Sequence, residues 1–104
     1  MNLDMVPIHP GEILLEEYLK PLGLSAGAFA KRLDVPRTRI ERIIAEKTAI
    51  SIDTALRLAR FFNTTPQYWI NMQTYYELRL AHRNPPKDLD KIKPLQIHTQ
   101  IAAE

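Results

Sequence analysis

An all-α fold of five helices followed by a C-terminal arm is the class that this 104-residue chain predicts, and three observations carry it. Apolar residues recur at helical spacing in successive segments, each bounded by a capping residue, a proline or a glycine. The period-two alternation of a strand appears only past Pro94, with no second strand in the chain to pair with it. Cysteine is absent, so neither disulfides nor a thiolate zinc site can stand in for a packed core. The length suits a single core, placed at residues 1–83, with residues 84–104 as the arm.

The first helix follows Pro10 and Gly11. There "EILLEEYLKPLG" sets Ile13, Leu14, Tyr18 and Leu19 against Glu12, Glu16, Glu17 and Lys20, and Pro21 and Gly23 stop it. Ser25 can accept from the free amides of a short second helix, in which Ala26, Phe29, Ala30 and Leu33 share one face. Pro36 disfavours helical geometry at Val35 and suits the first turn of a third helix, so Leu33 to Pro36 is a tight corner. In that third helix Ile40, Ile43 and Ile44 lie on one side, while Thr38, Glu41, Arg42 and Ala45 lie on the other, flanked by Arg37 and Arg39.

A loop through Lys47 to Ile50 leads to the cap Ser51 and a fourth helix whose apolar stripe reads Ile52, Ala55, Leu56, Ala59, ending near Asn63. Thr65 before Pro66 starts the longest helix, "QYWINMQTYYELRLAHR", which runs to Asn84-Pro85-Pro86. Leu95, Ile97, Thr99 and Ile101 then alternate with polar residues, so the arm is either unstructured or a short strand added to a partner's sheet.

Charge is distributed unevenly along the chain. Met1 to Leu24 carries one lysine against four acids, whereas Ser25 to Lys47 carries six bases against three acids, although the whole chain is only +2. An anionic partner is therefore sought on the second and third helices. Two helices joined by a three- or four-residue turn, the second with a polar outer face, describe a helix-turn-helix whose second member can enter the major groove of duplex DNA. Arg37 and Arg42 offer forked donors to guanine or phosphate, Thr38 can meet a thymine methyl, Glu41 can accept from cytosine, and Lys47 can reach the backbone. Ser25 and Pro36, at the starts of the two helices, complete the expected contact set with Arg39. The competing reading is a solvated helix face on which Glu41 offsets its neighbours.

Tyr68, Trp69, Met72, Tyr75 and Tyr76 cover much of the fifth helix with apolar surface. Simple core packing and a two-fold dimer seam both account for it. The expectation is a homodimer, because doubling one short helix over two half-sites multiplies specificity. His9, His82 and His98 have no metal-ligand spacing, and no phosphate-binding glycine loop or nucleophile signature is present. No enzyme, metal or cofactor is expected. No secretory leader opens the chain and no apolar run approaches the roughly 20 residues of a membrane helix, so a cytoplasmic protein without a membrane partner is expected.

The stretch "LSAGAFAKRLDVPRTRIERIIAEKTAISIDTALRLARFFNTTPQYW" resembles the phage-repressor-like (Xre) helix-turn-helix domain. The flanking "HPGEILLEEYLKPLGLS" and "TPQYWINMQ" are similar to antitoxins of the HigA/VapI type. That resemblance implies a five-helix domain that dimerises, binds a palindromic operator in its own promoter and neutralises a small RNA-cleaving toxin of HigB type. It places base-reading positions on Arg37, Thr38 and Arg42, and Arg39 among phosphate or base contacts. The chain departs from the family at Ala26, where relatives commonly carry Gln, and at Ala45-Glu46, where they carry Asn-Gly. A stand-alone regulator without a toxin, and a toxin-binding module that has lost DNA binding, are the alternatives.

Overall fold

The structure, a computed structural model, describes residues 1–96. It contains the five expected helices and, among those residues, no strand. Most of the alternating stretch that suggested one, and His98 with it, lies outside the described residues.

Helix α1 is continuous from Pro10–Ile13 through a wider turn at Leu14–Leu19 into Lys20–Leu22. The widening has a covalent cause. Pro21 has no N–H to give the carbonyl of Glu17, and its ring would crowd that carbonyl, so the ladder ahead of it shifts register and the Lys20 N–H bonds the Leu15 oxygen. Gly23, at φ +66°, closes the helix in the left-handed conformation that glycine adopts without a Cβ penalty. At the other end His9 is the N-cap: its Nδ1 accepts the Gly11 N–H at 2.8 Å, while its ring meets Tyr76 edge-on at 4.8 Å between centroids.

The packing role of His9 makes it pH-sensitive. Burial lowers its pKa below the ordinary value of 6.5, against smaller opposing effects from Glu46 and a hydrogen bond to the Thr48 backbone. A group whose folded pKa is depressed stabilises the fold above its unfolded pKa and loses that contribution as pH falls through the folded value. The urea midpoint is therefore expected to drop as pH is lowered from about 6.5. His9→Asn, which keeps a capping oxygen but cannot titrate, is expected to flatten that window, and an unchanged pH profile in the variant would refute the assignment.

Helices α2 (Ala26–Leu33) and α3 (Arg37–Ile44) come next in the chain. They are succeeded by α4 (Ile52–Phe62), α5 (Pro66–Arg83) and a 3-10 turn at Leu89–Lys91. Ser25, Ser51 and Thr65 cap α2, α4 and α5 as the sequence implies, each accepting an N–H three residues on at 3.1 to 3.2 Å. The core is built from Leu14 and Leu19 of α1, Phe29 and Leu33 of α2, Ile40 and Ile43 of α3, Leu58 of α4 and Trp69 of α5.

Two sequence expectations change here. The α4 stripe that faces the core is Ala55, Leu58 and Ala59, with Phe62 half-buried, and not the stripe that includes Ile52 and Leu56, which stand 62% and 53% exposed. Both stripes have helical spacing. The aromatic cluster decides between them, because Phe62 must reach Tyr18 at 4.6 Å and Phe29 at 5.6 Å. Trp69, expected at a dimer seam, is entirely buried: its ring lies 5.2 Å from Tyr18 and 5.8 Å from Phe62, and its Nε1 donates to the Thr64 hydroxyl at 2.9 Å. It has no surface to offer a second subunit.

The other seam residues are less committed. Tyr68 and Tyr75 are exposed, and Met72 and Tyr76 are half-buried. The Tyr68 hydroxyl lies 3.0 Å from that of Tyr18, and burial, followed by that hydrogen bond, pushes the Tyr18 pKa up to about 12. Past Tyr76, α5 leaves the body, giving a long molecule of 58 × 27 × 22 Å. The N-terminal segment runs back along it, with Asp4 3.0 Å from the His82 Nε2 and Arg79 donating to the Asn2 carbonyl at 3.1 Å.

Candidate nucleic-acid interface

The corner between α2 and α3 is a closed turn. Asp34 takes the left-handed conformation (φ 57°), its N–H reaches back to Lys31 at 3.2 Å, and the Val35 N–H bonds the Ala30 carbonyl at 3.0 Å. Aspartate is one of the few side chains that visits this region readily, because its short polar group hydrogen-bonds locally. Pro36 then supplies the extended N-cap of α3, and no side chain caps that helix's first turn.

Within α3, Ile40 and Ile43 are buried to 1% exposure or less, and Ile44 is half-buried. Arg37, Thr38, Glu41, Arg42 and Ala45 are all exposed. The expected division of the helix is therefore present: an anchored isoleucine side and a free polar side. Arg37 and Glu41 pair at 3.3 Å one turn apart on that free side. Solvent-exposed pairs of this kind contribute a few tenths of a kcal/mol, so a phosphate or base can displace Glu41 at little cost. Lys47 is exposed beyond the helix end. Ser25 and Pro36 are exposed at the two helix starts, with the Ser25 oxygen occupied by the Ala28 N–H.

Arg39 differs from its neighbours. It is only half-exposed and is held by Asp53, in the first turn of α4. Asp53 also receives the Arg57 Nε at 3.0 Å, and Arg57 donates to the carbonyls of Leu33 at 2.8 Å and Asp34 at 3.3 Å. The Arg57 and Arg39 guanidiniums hold the Asp53 carboxyl below its ordinary pKa. This chain of contacts ties the helix-turn-helix corner to α4 and fixes where Arg39 points. An Asp53 to Arg57 pair at i, i+4 is legible in the sequence. Its link to Arg39, 14 residues away, is not.

The loop after α3 has its own anchor. Gln73, nearly buried in α5, accepts the Ile50 N–H at 2.9 Å and donates to Glu77 at 2.7 Å. Glu46 occupies a left-handed position (φ 63°), with its N–H on the Ile43 carbonyl and the Lys47 N–H on that of Arg42, both at 2.9 Å. Glu46 thus closes the turn with a side chain at positive φ, at a conformational cost of about 1 kcal/mol. Gly11 fits α1 against this same end of α3: a Cβ there would overlap the Ile43 carbonyl oxygen and lie 2.8 Å from its carbon. None of these supports was expected from the sequence.

Among the described residues no group of His, Asp and Glu side chains could hold a metal, and no helix is long and apolar enough to cross a membrane.

The family model described as Helix-turn-helix (HTH_3) matches residues 15–69, which include every element of the corner. Virulence-associated protein I of Dichelobacter nodosus is 56% identical over 81 residues, covering 78% of this chain and 75% of that protein. Among solved structures, an addiction module antidote protein of the HigA family from Coxiella burnetii is 43% identical with a TM-score of 0.79, covering 88% of this chain and all of that one. The Pseudomonas aeruginosa antitoxin HigA, solved with the higBA promoter, is 39% identical with a TM-score of 0.79 over the same shares. With its corner closed and its third helix free on one side, the chain belongs to the Xre-type helix-turn-helix family, DNA-binding domains and not enzymes, with HigA antitoxins as structural neighbours.

Proposed function

We propose that this protein is a sequence-specific DNA-binding antitoxin of a type II toxin–antitoxin pair, which represses its own operon as a homodimer and neutralises a HigB-like RNA-cleaving toxin in the cytoplasm. The observation that carries the DNA half is the exposed polar side of α3 opposite fully buried Ile40 and Ile43. A helix anchored on one side can present the other to the roughly 12 Å major groove without unfolding anything. In this reading Arg37, Thr38 and Arg42 meet base edges. Arg39 and Lys47 meet the backbone, and Ser25 and Pro36 approach it at the helix starts. Glu41 is the group that Arg37 exchanges for DNA.

The Pseudomonas aeruginosa relative solved with promoter DNA supports the same use of the corner here. The toxin half is supported by the HigA-family relatives alone. The proposed seam of the homodimer is the open flank of α5, with Tyr68 and Tyr75 outermost and Met72 and Tyr76 at its edge.

Gel shift on the DNA upstream of its own gene tests the DNA half. Arg37→Ala and Arg42→Ala are each expected to cost about 1–3 kcal/mol of operator affinity and to relax specificity at the base pair they meet, whereas Lys47→Ala is expected to lower the salt slope by about one ion. Wild-type affinity and specificity in both arginine variants would remove the groove-entry reading. Co-expression with the neighbouring gene's product tests the toxin half, which fails if growth is not rescued.

A further inference from the structure

One cleft lies off the exposed polar side of α3 and touches the proposed DNA contact only through Asp53, which holds Arg39. It opens between the end of α2 and the outer side of α4, has a volume of about 560 Å³ and is lined by Arg32, Leu33, Leu56, Arg57, Arg60 and Phe61. A second depression of about 280 Å³ shares Leu56 and Arg60 and continues past Asn63 to Pro66. Leu56 and Arg60 thus form a ridge between two hollows, and Ile52 extends the ridge by one turn. Ile52 and Leu56 are the aliphatics that α4 turns away from the core, at 62% and 53% exposure.

The charge in the cleft is one-sided. Three guanidiniums share it with a single carboxylate, Asp53, which is already divided between Arg39 and Arg57. Arg32 lies over the Phe61 ring at 5.0 Å, which fixes its position and leaves its N–H groups open. Among the described residues neither Arg32 nor Arg60 has a carboxylate partner within 4.0 Å.

Cationic forks over an apolar floor recognise a carboxylate-bearing ligand that also brings aliphatic surface. A second copy of this chain presenting the same face would set like charges against one another. A phosphate backbone would leave Ile52 and Leu56 uncovered. The paired hollows extend the surface along α4, which suits a peptide segment better than a compact anion. We propose that this ridge and its flanking clefts dock an acidic, leucine-bearing segment of a partner protein, with Arg32 and Arg60 taking its carboxylates and Ile52, Leu56 and Phe61 its side-chain surface. The proposal does not depend on whether Arg37 and Arg42 read bases.

The probe is a fluorescein-labelled octapeptide of Asp and Glu with two leucines four residues apart, followed by anisotropy and by amide NMR shifts on the full chain. Saturable binding is expected, with shifts at Ile52, Leu56 and Phe61. Arg32→Gln combined with Arg60→Gln is expected to weaken it about tenfold or more, as loss of two charge-assisted contacts should. Leu56→Ser is expected to weaken it as well. Circular dichroism verifies that the variants fold, and Arg83→Gln combined with Lys87→Gln, at and just past the end of α5, controls for the loss of two charges. The proposal is overturned if no binding is seen, if the double variant binds as well as the wild type, if the control pair weakens binding equally, or if the shifts fall on α3.

Discussion

Gly11→Ala is expected to destabilise the protein by about 3 kcal/mol or more, at the upper end for overpacking because the obstruction is backbone. The added methyl would occupy the space of the Ile43 carbonyl oxygen and approach its carbon to 2.8 Å. No rotamer change relieves such an overlap. Either the start of α1 lifts off the end of α3 or the last turn of α3 deforms, and Ile43 belongs to the core. Gly23→Ala makes the informative contrast: nothing lies within 4 Å of its Cβ, and only its left-handed φ opposes a side chain, at a cost of about 1 kcal/mol. Urea unfolding of both variants checks the ranking. Equal midpoints would show that α1 does not pack on α3 as described.

Trp69→Ala should cost about 3–5 kcal/mol, the range for emptying a buried aromatic site. The ring is fully buried against Tyr18 and Phe62, and its removal also leaves the Thr64 hydroxyl without the indole donor. As a seam residue it would behave otherwise, with the variant dissociating into monomers of near-normal stability. Circular dichroism in urea, together with sedimentation, separates the two outcomes. Tryptophan emission cannot follow the variant, because Trp69 is the chain's one tryptophan.

The helices were legible because their ends are chemically marked. Ser25, Ser51 and Thr65 cap three of them, and Pro36, Gly23 and Asn84-Pro85-Pro86 bound the segments where the structure does. The same holds for the division of α3, since Ile40 and Ile43 can face the core only if Thr38, Glu41 and Arg42 face away. Periodicity is less decisive where apolar residues are dense. In α4, "IDTALRLARFF" contains two stripes of equal spacing, and the aromatic cluster chose the one ending in Phe62. In α5, the apolar wrap around Trp69 fitted core and seam alike.

Local chemistry written in the chain therefore determined the number of helices, their limits and which side of the third is free to meet DNA, because capping, proline geometry and helical spacing act over at most a few residues. Only the tertiary structure decided that Trp69 belongs to the interior, that Asp53 steers Arg39, that Gln73 holds the loop after α3, and that Gly11 must lack a side chain. Each of these joins groups 14 or more residues apart, and such distances close only when the helices pack.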